Sequence, residues 1–208
     1  MAQQGILLVV SGFSGAGKGT LMKALLEKYN NYALSISATT RGPRAGEVHG
    51  REYFFKTKEE FEEMIAWDAL IEYACYVGNY YGTPRAYVEE QMALGKDVIL
   101  EIEIQGARKI KEKYPEAVLL FVSPPSAKEL KNRLIGRGTE SLEVIENRLS
   151  RAAEEAVGIE EYDYFVVNDK IEACVEQVHQ IMQSEHTKVF RRTALVNQIK
   201  AEVKAFQK

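Results

Sequence analysis

The chain is poor in the residues that hold small disulfide-rich domains and zinc modules together. Its 208 residues include only two cysteines, Cys75 and Cys174, and three histidines. The cysteines form no C-x-x-C pair and the histidines lack the spacing of metal ligands, which disfavours a disulfide framework and a zinc site. We therefore expect two buried thiols of a cytosolic protein and histidines that bind no metal.

Long hydrophobic runs and an excess of positive charge are missing as well. The apolar run at residues 6–10 is much too short to span a bilayer, and no charged leader precedes it. The chain has 27 Lys and Arg against 30 Asp and Glu, a formal net charge of −3, whereas a protein that coats DNA is normally basic. We predict a cytoplasmic protein with neither a membrane nor a nucleic acid as partner.

Short apolar runs alternate with helical patterns along the chain. The runs at residues 6–10, 34–38, 98–104, 118–122 and 164–167 are mostly rich in Val, Ile and Leu, which is typical of parallel strands covered on both faces. Apolar residues recur at helical spacing over residues 20–28, 87–94, 127–134 and 171–182. This alternation predicts an α/β fold in which helices flank a mainly parallel sheet.

Two stretches differ in composition from this core and look inserted into it. We predict a core of residues 1–36, 86–129 and 157–208, interrupted by one insertion at 37–85 and a helical one at 130–156. Within the first insertion, residues 51–56 alternate like an antiparallel strand. The tail from residue 187 keeps apolar residues at helical spacing, which predicts a last helix packed either on the core or on a partner subunit of a homo-oligomer.

The strongest single motif lies between the first strand and the first helix. Its glycines allow successive backbone N–H groups to face one anion, the helix N-terminus adds partial positive charge, and Lys18 adds a full charge. The motif predicts a nucleotide polyphosphate site, and a turn without a ligand is the less favoured alternative. The residues of this predicted phosphate loop are Gly12, Phe13, Ser14, Gly15, Ala16, Gly17, Lys18, Gly19 and Thr20.

One position of the phosphate loop departs from the general motif. Gly19 stands where a Ser or Thr usually provides the hydroxyl that binds Mg²⁺. Thr20, one residue later, is the candidate for that role. Water or a carboxylate remains an alternative.

A second anion site is indicated in the first insertion. Arg41 and Arg44 flank a Gly-Pro turn, and two guanidinium groups on one turn can hold one phosphate, with Tyr53 and Tyr81 adding neutral hydrogen bonds. Glu72 could accept from both N1–H and the exocyclic amine of guanine, whereas the N1 acceptor of adenine would face it repulsively. The alternative is a solvated loop with surface salt bridges.

Together these motifs resemble those of the guanylate kinases, a family of nucleoside monophosphate kinases. The similarity covers the phosphate loop, the segment 37–53 that holds Ser-x-x-Thr-Thr-Arg-x-x-Arg, Glu72 with residues 79–83, residues 101–106, and residues 136–140 with Arg148. Two features differ from the usual family pattern. Glu101 and Glu103 stand where aspartates are common, and Phe13 replaces a usual proline.

The resemblance implies a role for each matching residue. Arg41, Arg44, Tyr53 and Tyr81 would hold the GMP phosphate, supported by Glu47, while Ser37, Glu72, Thr83 and Glu103 would address the guanine. Glu101 would lie near the phosphates and Mg²⁺, Arg137 and Arg148 would belong to a lid over ATP, and Asn168 would lie near the adenine. For Arg148 and its neighbour Arg151, pairing with Glu154 and Glu155 in a charged surface hairpin is the alternative.

The implied reaction is Mg²⁺-dependent transfer of the γ-phosphoryl group of ATP to GMP or dGMP in purine metabolism. Such a transfer depends on positioning and on positive charge, which Lys18, Arg44, Arg137 and Arg148 would supply. Two rival functions are a related domain that binds phosphopeptides without catalysis and a kinase with another acceptor, such as AMP or a phosphorylated sugar. The intact Gly17-Lys18 pair argues against the first rival, and Glu72 argues against the second.

Overall fold

A computed structural model describes residues 4–76, 78–136 and 142–206. The strands are β1 (Leu7–Gly12), β2 (Tyr32–Leu34), β3 (Ala38–Thr39), β4 (Phe54–Phe55), β5 (Leu70–Tyr76), β6 (Asn79–Pro84), β7 (Asp97–Glu101), β8 (Val118–Ser123) and β9 (Tyr164–Val167). The helices are α1 (Lys18–Lys28), α2 (Lys58–Ala66), α3 (Arg85–Ala93), α4 (Ile104–Lys113), α5 (Ala127–Gly136), α6 (Leu142–Ala156), α7 (Ile171–Glu185) and α8 (Thr193–Lys204). Two short 3-10 helices cover Ile159–Glu161 and Val189–Arg192.

The larger sheet has five strands in the order β2-β7-β1-β8-β9, and all neighbours are parallel. Alternate residues of β1 enter different hydrophobic clusters: Leu8 and Val10 pack on the side of α1 and α7, and Leu7 and Val9 on the side of α3 and α4. Because successive side chains point to opposite faces and both faces are covered, the strand is apolar throughout. The predicted α/β fold with a parallel sheet is confirmed.

The smaller sheet has the order β4-β3-β6-β5 and is formed by residues between 38 and 84. Its pairs β3–β6 and β5–β6 are antiparallel, but β4 runs parallel to β3. The prediction of an antiparallel strand over residues 51–56 is therefore wrong. The long connection between β3 and β4 returns the chain to the end at which β3 begins, as parallel pairing requires.

Several predicted boundaries are also wrong. The run at 34–38 is divided, because β2 ends at Leu34 in the larger sheet and β3 begins at Ala38 in the smaller one. The run at 98–104 ends as a strand at Glu101, and α4 begins at Ile104. The sequence patterns did not predict α2, whose start is fixed by a capping box in which Thr57 and Glu60 exchange hydrogen bonds.

The tail contains a last helix, as the spacing of its apolar residues predicts. Helix α8 buries no residue against the rest of the described chain, and Ile199 on its apolar face is 48% exposed.

Cys174 is buried, which raises the pKa of its thiol to about 11. Cys75 is exposed, contrary to prediction, because β5 is an edge strand. No helix within the described ranges is long and apolar enough to cross a membrane.

Candidate active site

The predicted phosphate loop connects β1 to α1 with a backbone that requires glycine. Gly17 precedes α1 with φ of 86°, and Gly12 ends β1 with φ of 153°. A Cβ atom on Gly12 would lie 2.1 Å from the carbonyl oxygen of Val122. The glycines place no side chain at these two positions, so the backbone can turn tightly and the N–H groups before α1 can face one anion.

Asn168 supports this loop from behind. Its Nδ2 donates a hydrogen bond to the Ala16 carbonyl at 2.8 Å, and both residues are buried. Arg133 of α5 in turn donates to the Asn168 carbonyl at 2.9 Å. The resemblance implied a role for Asn168 near the adenine, and its observed contact through the side-chain amide is with the phosphate loop itself.

Lys18 begins α1 and folds back over the loop. Its Nζ donates to the carbonyl of Gly12 at 2.7 Å and to that of Phe13 at 3.3 Å. Glu101 ends the adjacent strand β7, in register with Val10 of β1. Burial raises the pKa of Glu101, and the positive charge of Lys18 opposes part of this shift. The Lys18 ammonium, hydrogen-bonded to the carbonyl that ends β1, and the Glu101 carboxylate, which ends β7, thus lie at the edge of the sheet where ligands bind in open α/β folds.

The donor set near the loop fits a Mg²⁺ ion that is bound mainly through a nucleotide. Mg²⁺ prefers oxygen ligands and usually keeps several waters and substrate phosphates. Thr20 offers an exposed hydroxyl in the first turn of α1, and Glu101 offers a carboxylate. Within the part of the chain that the structure describes, no three acidic, histidine or cysteine side chains gather into a metal site.

The arginine turn of the first insertion is organised by Glu47. Its Oε1 accepts from Arg41 Nη2 at 2.9 Å, and its Oε2 accepts from the backbone N–H of Arg44 at 2.8 Å. These hydrogen bonds hold the pKa of Glu47 below its ordinary value. The Arg41 guanidinium lies over the ring of Tyr53, 5.3 Å from its centroid, and the Tyr53 ring is 6.1 Å from that of Tyr81. The structure therefore brings the predicted arginine and tyrosine residues together.

Glu72 lies on β5 opposite Thr83 of β6. Thr83 is buried and donates from Oγ1 to Glu72 Oε1 at 2.8 Å. The register of these strands shifts between Leu70 and Tyr73, and such irregularities redirect a side chain. Burial raises the pKa of Glu72, and the Thr83 hydroxyl and the charges of Lys109 and Lys113 act in the opposite direction. Sequence reasoning missed these two lysines, which come from α4.

The two halves of the site meet at a polar cleft. It has a volume of about 360 Å³, and its lining includes Ser37, Tyr53, Thr83 and Glu101. The first three come from the insertion, and Glu101 comes from the larger sheet. The cleft therefore lies between the carboxyl end of the larger sheet and the insertion that carries the arginine turn.

Helix α6 closes the other side of the phosphate loop. Arg148 donates from Nη1 to Ser14 Oγ at 3.0 Å, so this arginine contacts the phosphate loop. Arg137, the second lid arginine, lies outside the described residues. Glu103 stands at the start of α4 and lines a neighbouring cleft with Arg108, Arg151 and Glu155.

Glu155 is a further candidate residue of the site. The sequence patterns indicated it only as a salt-bridge partner of the arginines of α6. Its Oε2 is buried and has no hydrogen-bond partner among the described residues. Burial raises the pKa of Glu155, while the charge of Lys18 lowers it and that of Glu103 raises it. A spacing of seven residues puts Glu155 on the same face of α6 as Arg148, and this spacing is the pattern that could have identified it.

Comparisons with known proteins identify the family. A model of the guanylate kinase family, described as "Guanylate kinase", matches residues 4–185. Guanylate kinase of Lactococcus lactis is 53% identical over 92% of this chain and 93% of its own length. That of Caldanaerobacter subterraneus is 51% identical over 96% of this chain and 97% of its own. The crystal structure of guanylate kinase from Anaplasma phagocytophilum is 35% identical with a TM-score of 0.71, and the alignment covers 91% of this chain and 90% of that one. The chain belongs to the guanylate kinase family.

Proposed function

We propose that the protein transfers the γ-phosphoryl group of ATP to the phosphate of GMP or dGMP, giving ADP and GDP or dGDP. The observation that carries the proposal is the cleft whose lining joins Glu101 of the larger sheet to Ser37, Tyr53 and Thr83 of the insertion. A kinase needs two anion sites that face each other, one for each nucleotide. Both substrates belong to cytoplasmic purine metabolism, and we propose that the enzyme acts there.

ATP would bind on the core. The backbone N–H groups of the phosphate loop would hold its phosphates, and Lys18 would neutralise the outer ones. Thr20 and Glu101 would hold Mg²⁺, which supplies further neutralisation of phosphate charge when bound. Arg148, with Arg137, would add positive charge from the lid side.

GMP would bind in the insertion. Arg41, Arg44, Tyr53 and Tyr81 would hold its phosphate, with Glu47 fixing the arginine turn as described above. Arg44 is exposed on that turn and available to bridge both phosphates. The transferred group passes through a transition state with charge spread over its oxygens, so these fixed cations stabilise it without a side-chain nucleophile.

The guanine would be recognised by hydrogen-bond complementarity. The Glu72 carboxylate would accept from N1–H and the exocyclic amine, while Thr83, Ser37 and Glu103 would address the remaining polar edge. Adenine presents an acceptor at N1, which would oppose the carboxylate. Leaving buried polar groups unpaired is a strong basis for rejection of the wrong base.

We propose that two segments close over the bound nucleotides. The insertion, residues 37–85, would carry GMP toward the core, and the lid, residues 130–156, would cover ATP. Closure would exclude water, which is the competing acceptor of the phosphoryl group. The contact between Arg148 and Ser14 supports a lid that communicates with the phosphate loop.

A coupled assay of ADP formation tests this proposal. With ATP and Mg²⁺, we expect turnover with GMP and dGMP, and only a small rate with AMP, CMP or a sugar phosphate. Calorimetry with a non-hydrolysable ATP analogue and with GMP should show two independent sites. A folded protein that forms no ADP above background with GMP, or that uses AMP equally well, would contradict the proposal.

A further inference from the structure

Phe13 is the one large apolar side chain in a loop whose task is to present backbone donors to phosphate. Its ring packs against the core cluster that includes Val10 and Val122, and meets the ring of Phe121 edge-on at 5.0 Å. The same ring packs against a separate cluster of α5 and α6, which is formed by Leu130, Leu134, Ile145 and Ala152. Phe13 therefore contacts two hydrophobic clusters. One lies between the sheet and helices α1 and α7, and the other lies between helices α5 and α6.

The next two loop residues also contact these helices. Ser14 accepts the hydrogen bond from Arg148 at 3.0 Å. A Cβ atom on Gly15 would lie 2.9 Å from Leu134 Cδ2, so α5 lies directly on the loop there. Three consecutive residues thus join the phosphate loop to α5 and α6 through an apolar ring, a hydroxyl and a close backbone approach.

Beyond Phe13 the lid helices do not pack closely on the sheet. An apolar cleft of about 380 Å³ opens there, lined by Phe13, Pro124, Leu130, Leu149 and Phe165 among others. Since interior packing is normally dense, such a gap leaves α5 and α6 room to shift relative to the sheet. The orientation of the lid helices then depends on the contacts that connect the two sides, and Phe13 packs on the clusters of both.

We propose that Phe13 is a positioning residue that holds α5 and α6 against the phosphate loop and thereby aligns Arg148 with the transferred phosphoryl group. The inference rests on the proposed function, because it concerns the ATP half of that site. The ring is engaged by the core cluster, by Phe121 and by the cluster of α5 and α6. Phe13 acts through the cluster of α5 and α6. The phosphate loop and Arg148 consequently move as one unit when ATP binds.

Steady-state kinetics of Phe13→Ala and Phe13→Leu test the inference. Loss of the ring should lower kcat about tenfold and raise the KM for ATP about tenfold, because small misplacements of catalytic groups have large effects on rate. The KM for GMP should stay within about twofold, since the arginine turn is untouched. Leu keeps apolar bulk at this position and should restore most of the loss. ATP hydrolysis without GMP should become a larger share of turnover in the alanine variant.

Phe165→Ala is the matched control. Phe165 lines the same cleft and stacks on Phe121 with centroids 6.1 Å apart, but it belongs to β9 rather than to the loop. We expect this variant to melt at a lower temperature with unchanged kinetic constants. If Phe13→Ala does not fold, Phe13→Val carries the same test, because its short side chain also withdraws most of the apolar contact with the cluster of α5 and α6.

Three results would overturn the inference: unchanged kinetics in Phe13→Ala, an equal rise in both KM values, or the same ATP-specific defect in Phe165→Ala. Failure of the proposed function is distinguishable from these, because the unmodified protein would then not phosphorylate GMP. In that case calorimetry with the ATP analogue still compares the variants. An unchanged affinity of Phe13→Ala for the analogue would count against the inference.

Discussion

The two proposed anion sites are built in different ways. The phosphate loop lies between a six-residue buried strand and an eleven-residue helix, and its donors are backbone N–H groups. The arginine turn follows β3, a strand of only two residues, and its donors are guanidinium groups. The first site is fixed by the conformation of the chain, whereas the second is fixed by a side chain, Glu47.

This difference determines how far the donors of each site are already paired before a phosphate binds. Backbone dipoles need no counter-charge, so the loop is ready for a phosphate. The Arg41 side chain, 16% exposed, is already paired with Glu47, which is 18% exposed. A bound phosphate would have to share or replace that partner, and part of the gain from binding is offset by the lost contact. We therefore expect the GMP site to depend on side chains and pH more strongly than the ATP site.

Substitution of Lys18 with Met should have the largest effect and should separate binding from catalysis. Lys18 supplies the only full charge on the loop segment 12–20, and loss of one such stabilising group typically lowers kcat by about 100- to 1,000-fold. Affinity for an ATP analogue should fall only about tenfold, since the backbone donors remain. Lys23→Met on the same helix, where the side chain is 78% exposed, is the control. An equal loss in affinity and kcat would show that the loop does not bind phosphate through its backbone.

Substitution of Glu72 with Gln tests the base-reading half of the other site. The amide NH₂ would face donors of guanine, and kcat/KM for GMP should fall about 100-fold, roughly 2.7 kcal/mol. The KM for ATP should not change. Glu59→Gln on exposed α2 should behave like the unmodified protein. If Glu72→Gln left GMP kinetics unchanged, the guanine would have to be recognised by other groups.

Substitution of Arg41 with Lys tests whether the arginine turn holds phosphate through the geometry of its donors. The ammonium keeps the charge but loses the planar fork and the packing on Tyr53, so the KM for GMP should rise about tenfold. Arg51→Lys is a matched control in the same insertion, because its side chain is 64% exposed. Equal effects of the two substitutions would indicate that Arg41 acts only through general charge.

The same contrast explains what the sequence could predict. The phosphate loop and the parallel strands are local features, since glycine spacing and continuous apolar runs depend on neighbours in the chain. The parallel pairing of β4 depends on the path of residues between β3 and β4, which no local pattern records. The contact of Asn168 with Ala16 joins positions 152 residues apart. Residue spacing could therefore not predict this contact, although the family resemblance did select Asn168.

The site residues of the insertion illustrate an intermediate case. The motif resemblance selected Arg41, Glu47, Glu72 and Thr83, and the structure brings Arg41 to Glu47 and Glu72 to Thr83. It did not indicate that Lys109 and Lys113 of α4 would influence Glu72. Electrostatic effects of this kind arise from the packing of the core on the insertion, so they require the tertiary structure.

The pH dependence of GMP binding should show the smallest effect and the sharpest contrast between the two sites. Because burial raises the pKa of Glu72, its carboxyl group takes up a proton at a higher pH than an ordinary glutamate does. The protonated form loses an acceptor for guanine, so the KM for GMP should rise a few-fold as pH falls from about 7 to about 5. The GMP phosphate itself titrates near pH 6, but it does so equally in Glu72→Gln. The ratio of KM values, Glu72→Gln over unmodified protein, should therefore shrink as the pH is lowered. A ratio that is independent of pH would mean that the Glu72 carboxylate does not contact the base, and the guanine-reading role would then have to be reassigned to Ser37 or Glu103.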